Sequence, residues 1–187
     1  MKRLVWLAVF ALVVAAIPVG ASTFVALSRG ELVAQSDAIV EGEVLKVNSF
    51  WSRSGRMIVT EALVRVTDKI AGNAPTVVAV RTFGGEVGGF LVEAHGFPKF
   101  QVGERVVLFL QDQPNGTAEV TGYRQGQFQI VRDKAGVQIA VPTLEEGVNL
   151  LRADGAPVAR PKAVRLDELK NAIRADVERV GTARMAN

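Results

Sequence analysis

The chain has 187 residues, one histidine, no cysteine and a formal net charge of +3. These counts exclude disulfide scaffolds, thiolate zinc and iron–sulfur sites, cysteine nucleophiles and any multi-histidine metal site within one chain. Aromatic residues make up only 6% and charges of both signs are interspersed, so the sequence pI near 9.5 does not mark a nucleic-acid surface.

Residues 2–21 read KRLVWLAVFALVVAAIPVGA. Lys2 and Arg3 give a positive start, and Leu4–Ile17 is an uncharged apolar run. Pro18 and Gly20 break it, and Val19-Gly20-Ala21 offers a small-residue cleavage site. This is the layout of a secretory signal peptide, and the run is shorter than the roughly 20 residues that span a bilayer. Cleavage after Ala21 is expected to leave 166 residues, with 20 basic and 19 acidic groups. The mature chain is then nearly neutral and has no further membrane-spanning run. It is expected outside the cytoplasm, in the periplasm or the medium, with a core large enough to dispense with disulfides.

Residues 28–35 read as a short helix, with Ser28 as N-cap and Glu31 at capping-box spacing. About a hundred residues of strands follow. Ala38–Val47 alternates imperfectly, and Gly42 predicts a bulge or bend. Met57–Thr67 and Thr76–Thr82 are β-rich. Gly84–Gly89 reads as an irregular, flexible stretch, and Phe90–Ala94 as an edge-like strand. Phe97–Gly103 is a loop with aromatic anchors. Glu104–Gln111 is the most hydrophobic strand and is expected to be central. Pro114-Asn115-Gly116 is a turn, and Ala118–Tyr123 and Gln127–Arg132 are strands. Gly122–Phe128 reads as a tight hairpin with Tyr123 and Phe128 turned inward. Asp133–Gly136 leads to a last strand, Val137–Val141. Regular strand spacing without βαβ alternation predicts a mainly β barrel or sandwich over 22–141. Beyond Pro142, Leu144–Arg152 reads as a turn or short helix within a linker-like segment, 142–166. Residues 167–181 form an amphipathic helix with Leu169, Ile173, Val177 and Val180 on one face, Asp167 as N-cap and Gly181 as its end.

Little in the chain reads as catalytic. His95 would need Glu93 or Glu86 beside it for acid–base or metal work, and no G-x-S-x-G elbow is present. Gly84–Gly89 lacks both G-x-G-x-x-G and the Lys-Ser/Thr of a phosphate loop. Glycines Gly84 and Gly85 with Glu86, Phe90, His95, Phe97 and Phe100 can instead form a binding rim. No cofactor and no metal are expected.

The elements F-V-A-L-S-R-G-E-L-V-A-Q-S-D-A-I-V-E-G-E-V (24–44), T-F-G-G-E-V-G-G (82–89), F-Q-V-G-E-R-V-V-L-F-L (100–110) and G-Y-R-Q-G-Q-F (122–128) together resemble a group of uncharacterised exported bacterial proteins. More distantly, S-D-A-I-V-E-G-E-V (36–44) resembles the first barrel strand of netrin-like modules, which include the tissue inhibitors of metalloproteinases. That resemblance implies an OB-like closed or partly open five-stranded barrel with a short N-terminal helix and a C-terminal helix. The inhibitors begin Cys-Thr-Cys-Val after signal cleavage, and their free α-amine and first carbonyl chelate the protease zinc. The mature start here would be Ser22-Thr23-Phe24-Val25, so Thr23 and Val25 match and both cysteines are missing. Packing of Phe24 would then have to replace the disulfide that stiffens the inhibitor's N-terminus.

The expectation is therefore an exported, non-enzymatic barrel that binds a protein or peptide partner; its sharper form is inhibition of a secreted zinc metalloprotease through the mature N-terminus, Ser22, Thr23 and Phe24. The alternative is a glycan- or small-molecule-binding module using Gly84–Phe100. A hydrolase using Glu86, Glu93 and His95 is the third reading.

Overall fold

In the computed structural model, residues 23–185 are described; the expected signal segment and Ser22 lie outside them. Two long strands, β2 (Ala38–Trp51) and β3 (Ile58–Gly72), pair as a hairpin along their whole length. The register shifts at Ile39/Val40, Glu41/Gly42 and Val44/Lys46, and these bulges bend the hairpin round. Gly42 sits at one of them because a Cβ there would come within 2.6 Å of Val64 Cγ1 and 2.7 Å of the Arg65 carbonyl oxygen.

β3 continues into β4 (Val77–Phe83). β7 (Arg105–Asp112) pairs with the first half of β2, and β8 (Ala118–Val120) joins β7 to β4. The ring β2-β3-β4-β8-β7 closes on itself as a five-stranded barrel, and its one parallel pair is β4–β8. The start of β7 also carries β9 (Gln127–Arg132), then β10 (Gln138–Pro142) and the two-residue β12 (Val164–Arg165). β7 is thus apolar on both faces, with Val106–Leu110 all at most 1% exposed. Val106, Leu108 and Leu110 fill the barrel with Val40, Val44, Val64 and Val80. Val107 and Phe109 face a second core with Ile39, Phe128, Leu169 and Ile173.

Two helices cover that second core. α1 (Arg29–Gln35) carries a full capping box: Ser28 Oγ accepts from the Glu31 N–H, and Glu31 accepts from the Ser28 N–H at 2.7 Å. α2 (Leu166–Met185) buries Leu169 and Ile173 and half-buries Val177 and Val180. It is longer than the pattern predicts. Asp167 lies in its first turn, paired with Arg165, rather than at the N-cap. It also runs through Gly181, since one glycine costs a helix only about 1 kcal/mol.

Three loop readings are corrected. Gly84–Gly89 is not irregular: β5 (Gly85–Val87) and β6 (Phe90–Val92) form a hairpin. Gly88 and Gly89, at φ 58° and 83°, form the two-residue turn that needs positive φ twice. The tight hairpin read at Gly122–Phe128 is a 3₁₀ turn, Tyr123–Gly126, and Tyr123 is exposed rather than turned inward. Leu144–Arg152 is not a helix: it makes a turn at 146–147 and then the unexpected β11 (Asn149–Leu151), which pairs in parallel with β1 (Thr23–Val25). Strand partners distant in sequence decide such segments, so their own residues do not announce them. Among the described residues no helix is long and apolar enough to cross a membrane.

Candidate functional site

The strand directions collect one set of ends. The ends of β2, β4 and β8 and the start of β3 lie together because β2–β3 and β3–β4 are antiparallel and β4–β8 is parallel. A cleft of about 760 Å3 opens there, the size of a ligand pocket. Phe50, Trp51, Phe83, Phe97 and Tyr123 supply its rings, and Ser52, Arg81, Asn115 and Glu119 its polar groups. Arg81 lies 5.5 Å over the Phe50 ring and pairs with Glu61 at 2.9 Å, so its guanidinium is fixed.

The glycine-rich segment is built onto this end. The Thr60 hydroxyl donates to the Gly84 carbonyl at 2.7 Å and shares a 2.8 Å hydrogen bond with Ser49. Gly85 lies against both hydroxyls, where a Cβ would overlap them. The β5–β6 hairpin carries Glu86 exposed on one strand and Phe90 on the other. Phe90 packs edge-on against Trp51 with centroids 5.8 Å apart. Thr82 donates to the Pro98 carbonyl at 3.0 Å, which seats Phe97 in the cleft wall 5.7 Å from Phe83.

The N-terminal strand reaches the same place. Phe24 packs tilted against Tyr123, centroids 5.5 Å apart, and Tyr123 edge-on against Phe97 at 4.7 Å. Gln125 accepts from the Leu27 N–H and donates to the Val25 carbonyl, tying β1 to the 3₁₀ turn. Thr23 is exposed beside Phe24. The rings thus form two groups at this end, Phe24–Tyr123–Phe97–Phe83 and Trp51–Phe90, with Gly84 and Gly85 beside them; Phe100, expected at the rim, is instead buried in the barrel core, and Glu86 makes no ion pair among the described residues.

His95 is partnered differently from the expectation. Its Nδ1 lies 3.5 Å from Glu145, while Glu93 lies 3.9 Å from Lys99. Glu145 also takes Lys99 at 3.0 Å, Arg124 at 3.4 Å and the Gly96 N–H at 3.3 Å. Partial burial pushes the Glu145 carboxyl up, but the Lys99 hydrogen bond, the Arg124 charge and the Gly96 N–H outweigh it and hold it below its ordinary value. A carboxylate so held is a weak base at neutral pH; it ties the His95 loop to the 3₁₀ turn. Arg124 completes the tie by donating to the Phe97 carbonyl at 2.9 Å and the Thr143 carbonyl at 2.7 Å.

No model of a known protein family matches the chain, and no curated protein matches it either. Function therefore rests on the cleft. No group of three or more metal-ligating side chains that could hold a metal ion occurs among the described residues. Phe50, Trp51, Arg81, Phe83 and Glu145 were not legible as site residues. The one available signal was the apolar pair Phe50-Trp51 set directly before the polar turn Ser52–Gly55.

Proposed function

We propose that the protein is an exported, non-enzymatic binding module on an OB-like barrel, and that its aromatic cleft receives a protein partner. The observation that carries this reading is the apolar rim. Trp51, Met57, Phe90 and Leu91 are 41%, 46%, 63% and 65% exposed, and Trp51 and Met57 border the cleft. Large apolar side chains left in water around a ring-lined pocket are what a protein interface core requires. Met57 and Leu91 favour a protein over a glycan, because sugar faces stack on rings and gain little from flexible aliphatic chains. The ring order supports the OB-like assignment: the first-to-second-strand turn and the β7–β8 turn both border the cleft, as the binding loops of that fold do.

A sharper form makes the partner a secreted zinc metalloprotease and the mature N-terminus its ligand. The seating of Phe24 favours it. Pairing of β1 with β11 and the contact of Phe24 with Gly96 anchor the strand without a disulfide.

From Ser22 onward Trp51 is the only tryptophan, so its emission reports the cleft directly. A protein captured from extracytoplasmic extract should shift that emission to the blue, and should no longer be captured by Phe90→Ala/Leu91→Ala. Capture that survives these exchanges refutes the cleft reading; a shift with soluble oligosaccharides and no captured protein supports the glycan alternative. Extending the N-terminus beyond Ser22 should abolish protease inhibition alone, which separates the sharper form from the general one.

A further inference from the structure

A second cavity, of about 230 Å3, lies between α1, the 3₁₀ turn and the segment leading to β12. Its walls are aliphatic: Leu27, Leu32, Leu144, Leu150, Val158 and Leu169. Its charged lining is of one sign, with Arg29, Arg124 and Lys162 and no carboxylate. Arg29 is neutralised from outside the cavity by Asp176 at 2.5 Å, and Arg124 by Glu145. Lys162 has no ion-pair partner among the described residues. An apolar slot with one uncompensated cation at its lining is complementary to a single-chain amphiphilic anion.

We infer that this cavity binds a free medium-chain fatty carboxylate, its tail among the leucines and its carboxylate on Lys162. The volume sets the length. A methylene occupies close to a water's share of liquid volume, about 30 Å3, so 230 Å3 holds a chain of about eight carbons. The site is a separate cavity from the protein-binding cleft but adjoins it through the 3₁₀ turn: Tyr123 lines the one, and Arg124 and Gln125 the other.

Calorimetric titration of the purified exported chain with the sodium salts of hexanoate, octanoate, decanoate and dodecanoate tests this. Each methylene up to about eight carbons should tighten binding about fourfold, and longer chains should gain nothing. Lys162→Gln should weaken octanoate at least tenfold. Ala159→Trp, which fills the slot from a solvent-exposed position, should remove binding while the thermal midpoint stays put. Affinity that keeps rising through dodecanoate, or octanoate binding untouched by both exchanges, overturns the proposal. So does binding to neutral phospholipid vesicles with none to free octanoate.

Discussion

The ring of Phe24 occupies the space that a side chain on Gly96 would fill. Gly96 is buried, has φ 83°, and holds the His95 loop to Glu145 through its N–H. The glycine is therefore what lets the first described strand lie flat on the cleft wall. Gly96→Val is expected to cost about 1–2 kcal/mol from the left-handed backbone alone and to lift Phe24 as well. Hydrogen exchange should show it: the Ala26 N–H, which donates to Leu151 at 2.7 Å, should lose protection, while Leu108 in β7 should not. Equal loss at both positions would mean global unfolding, and no loss at either would refute the coupling.

The reading of the barrel and the reading of the cleft differ in origin. Alternation along β2 and β3, the apolar run of β7 and the Ser28–Glu31 capping spacing are local patterns, and each is visible in a short window. The cleft is not local. It takes rings from Phe50 to Tyr123, gathered by a closure that depends on β8 pairing in parallel with β4 over two residues. Phe90 and Phe97 stood out because they flank glycines; Trp51 and Phe83, at the ends of long strands, did not. Glu145 lay in a segment with no period at all, and only the convergence of Lys99, Arg124 and Gly96 marks it.

Glu41, on the barrel's first strand, is an acidic residue only 6% exposed. Arg105 meets it at 2.5 Å and Lys170 at 2.7 Å, and Lys170 also reaches Asp68 at 2.5 Å. The group ties α2 to the β2–β3 hairpin. Glu41→Ala leaves the partly exposed Arg105 without its carboxylate, while Lys170 keeps Asp68, and is expected to cost about 1–2 kcal/mol in denaturant unfolding. Lys170→Met should cost much less, since Arg105 still compensates Glu41. A larger cost for Lys170→Met than for Glu41→Ala would place the tie in helix packing instead.

Glu104 and Glu145 give opposite pH signatures. Burial raises the Glu104 carboxyl above 4.5, against the Gln101 N–H and the Arg124 charge. In the window above 4.5 the folded state then holds more protons than the unfolded one, so this group lowers stability as pH rises through it. Glu104→Gln keeps an acceptor for the Gln101 N–H and should stabilise the protein at pH 7 by under about 1 kcal/mol. That gain should vanish below pH 4. Glu145, held low, contributes stability that is present above 4.5 and lost as pH falls through its folded value. Glu145→Gln should therefore destabilise at pH 7, by about 1–2 kcal/mol, and approach the parent at acid pH. Unfolding free energies at pH 3, 5 and 7 check both signs; parallel curves for parent and variants would refute them.

Tyr123 is the one non-glycine residue with positive φ among those described, at 59°, and it follows Gly122 at 64°. The residue is 45% exposed, and its ring stands between Phe24 and Phe97 on the cleft wall. Backbone strain of this kind persists where the surroundings hold it, and it gathers at binding sites. Tyr123→Ala keeps the strain and loses the ring, whereas Tyr123→Gly loses both. The glycine variant should thus be the more stable of the two by about 1 kcal/mol. Both should weaken partner capture, because neither restores the wall between Phe24 and Phe97. If Tyr123→Gly captured partner as well as the parent, the ring would serve the turn alone, and the cleft would end at Phe97.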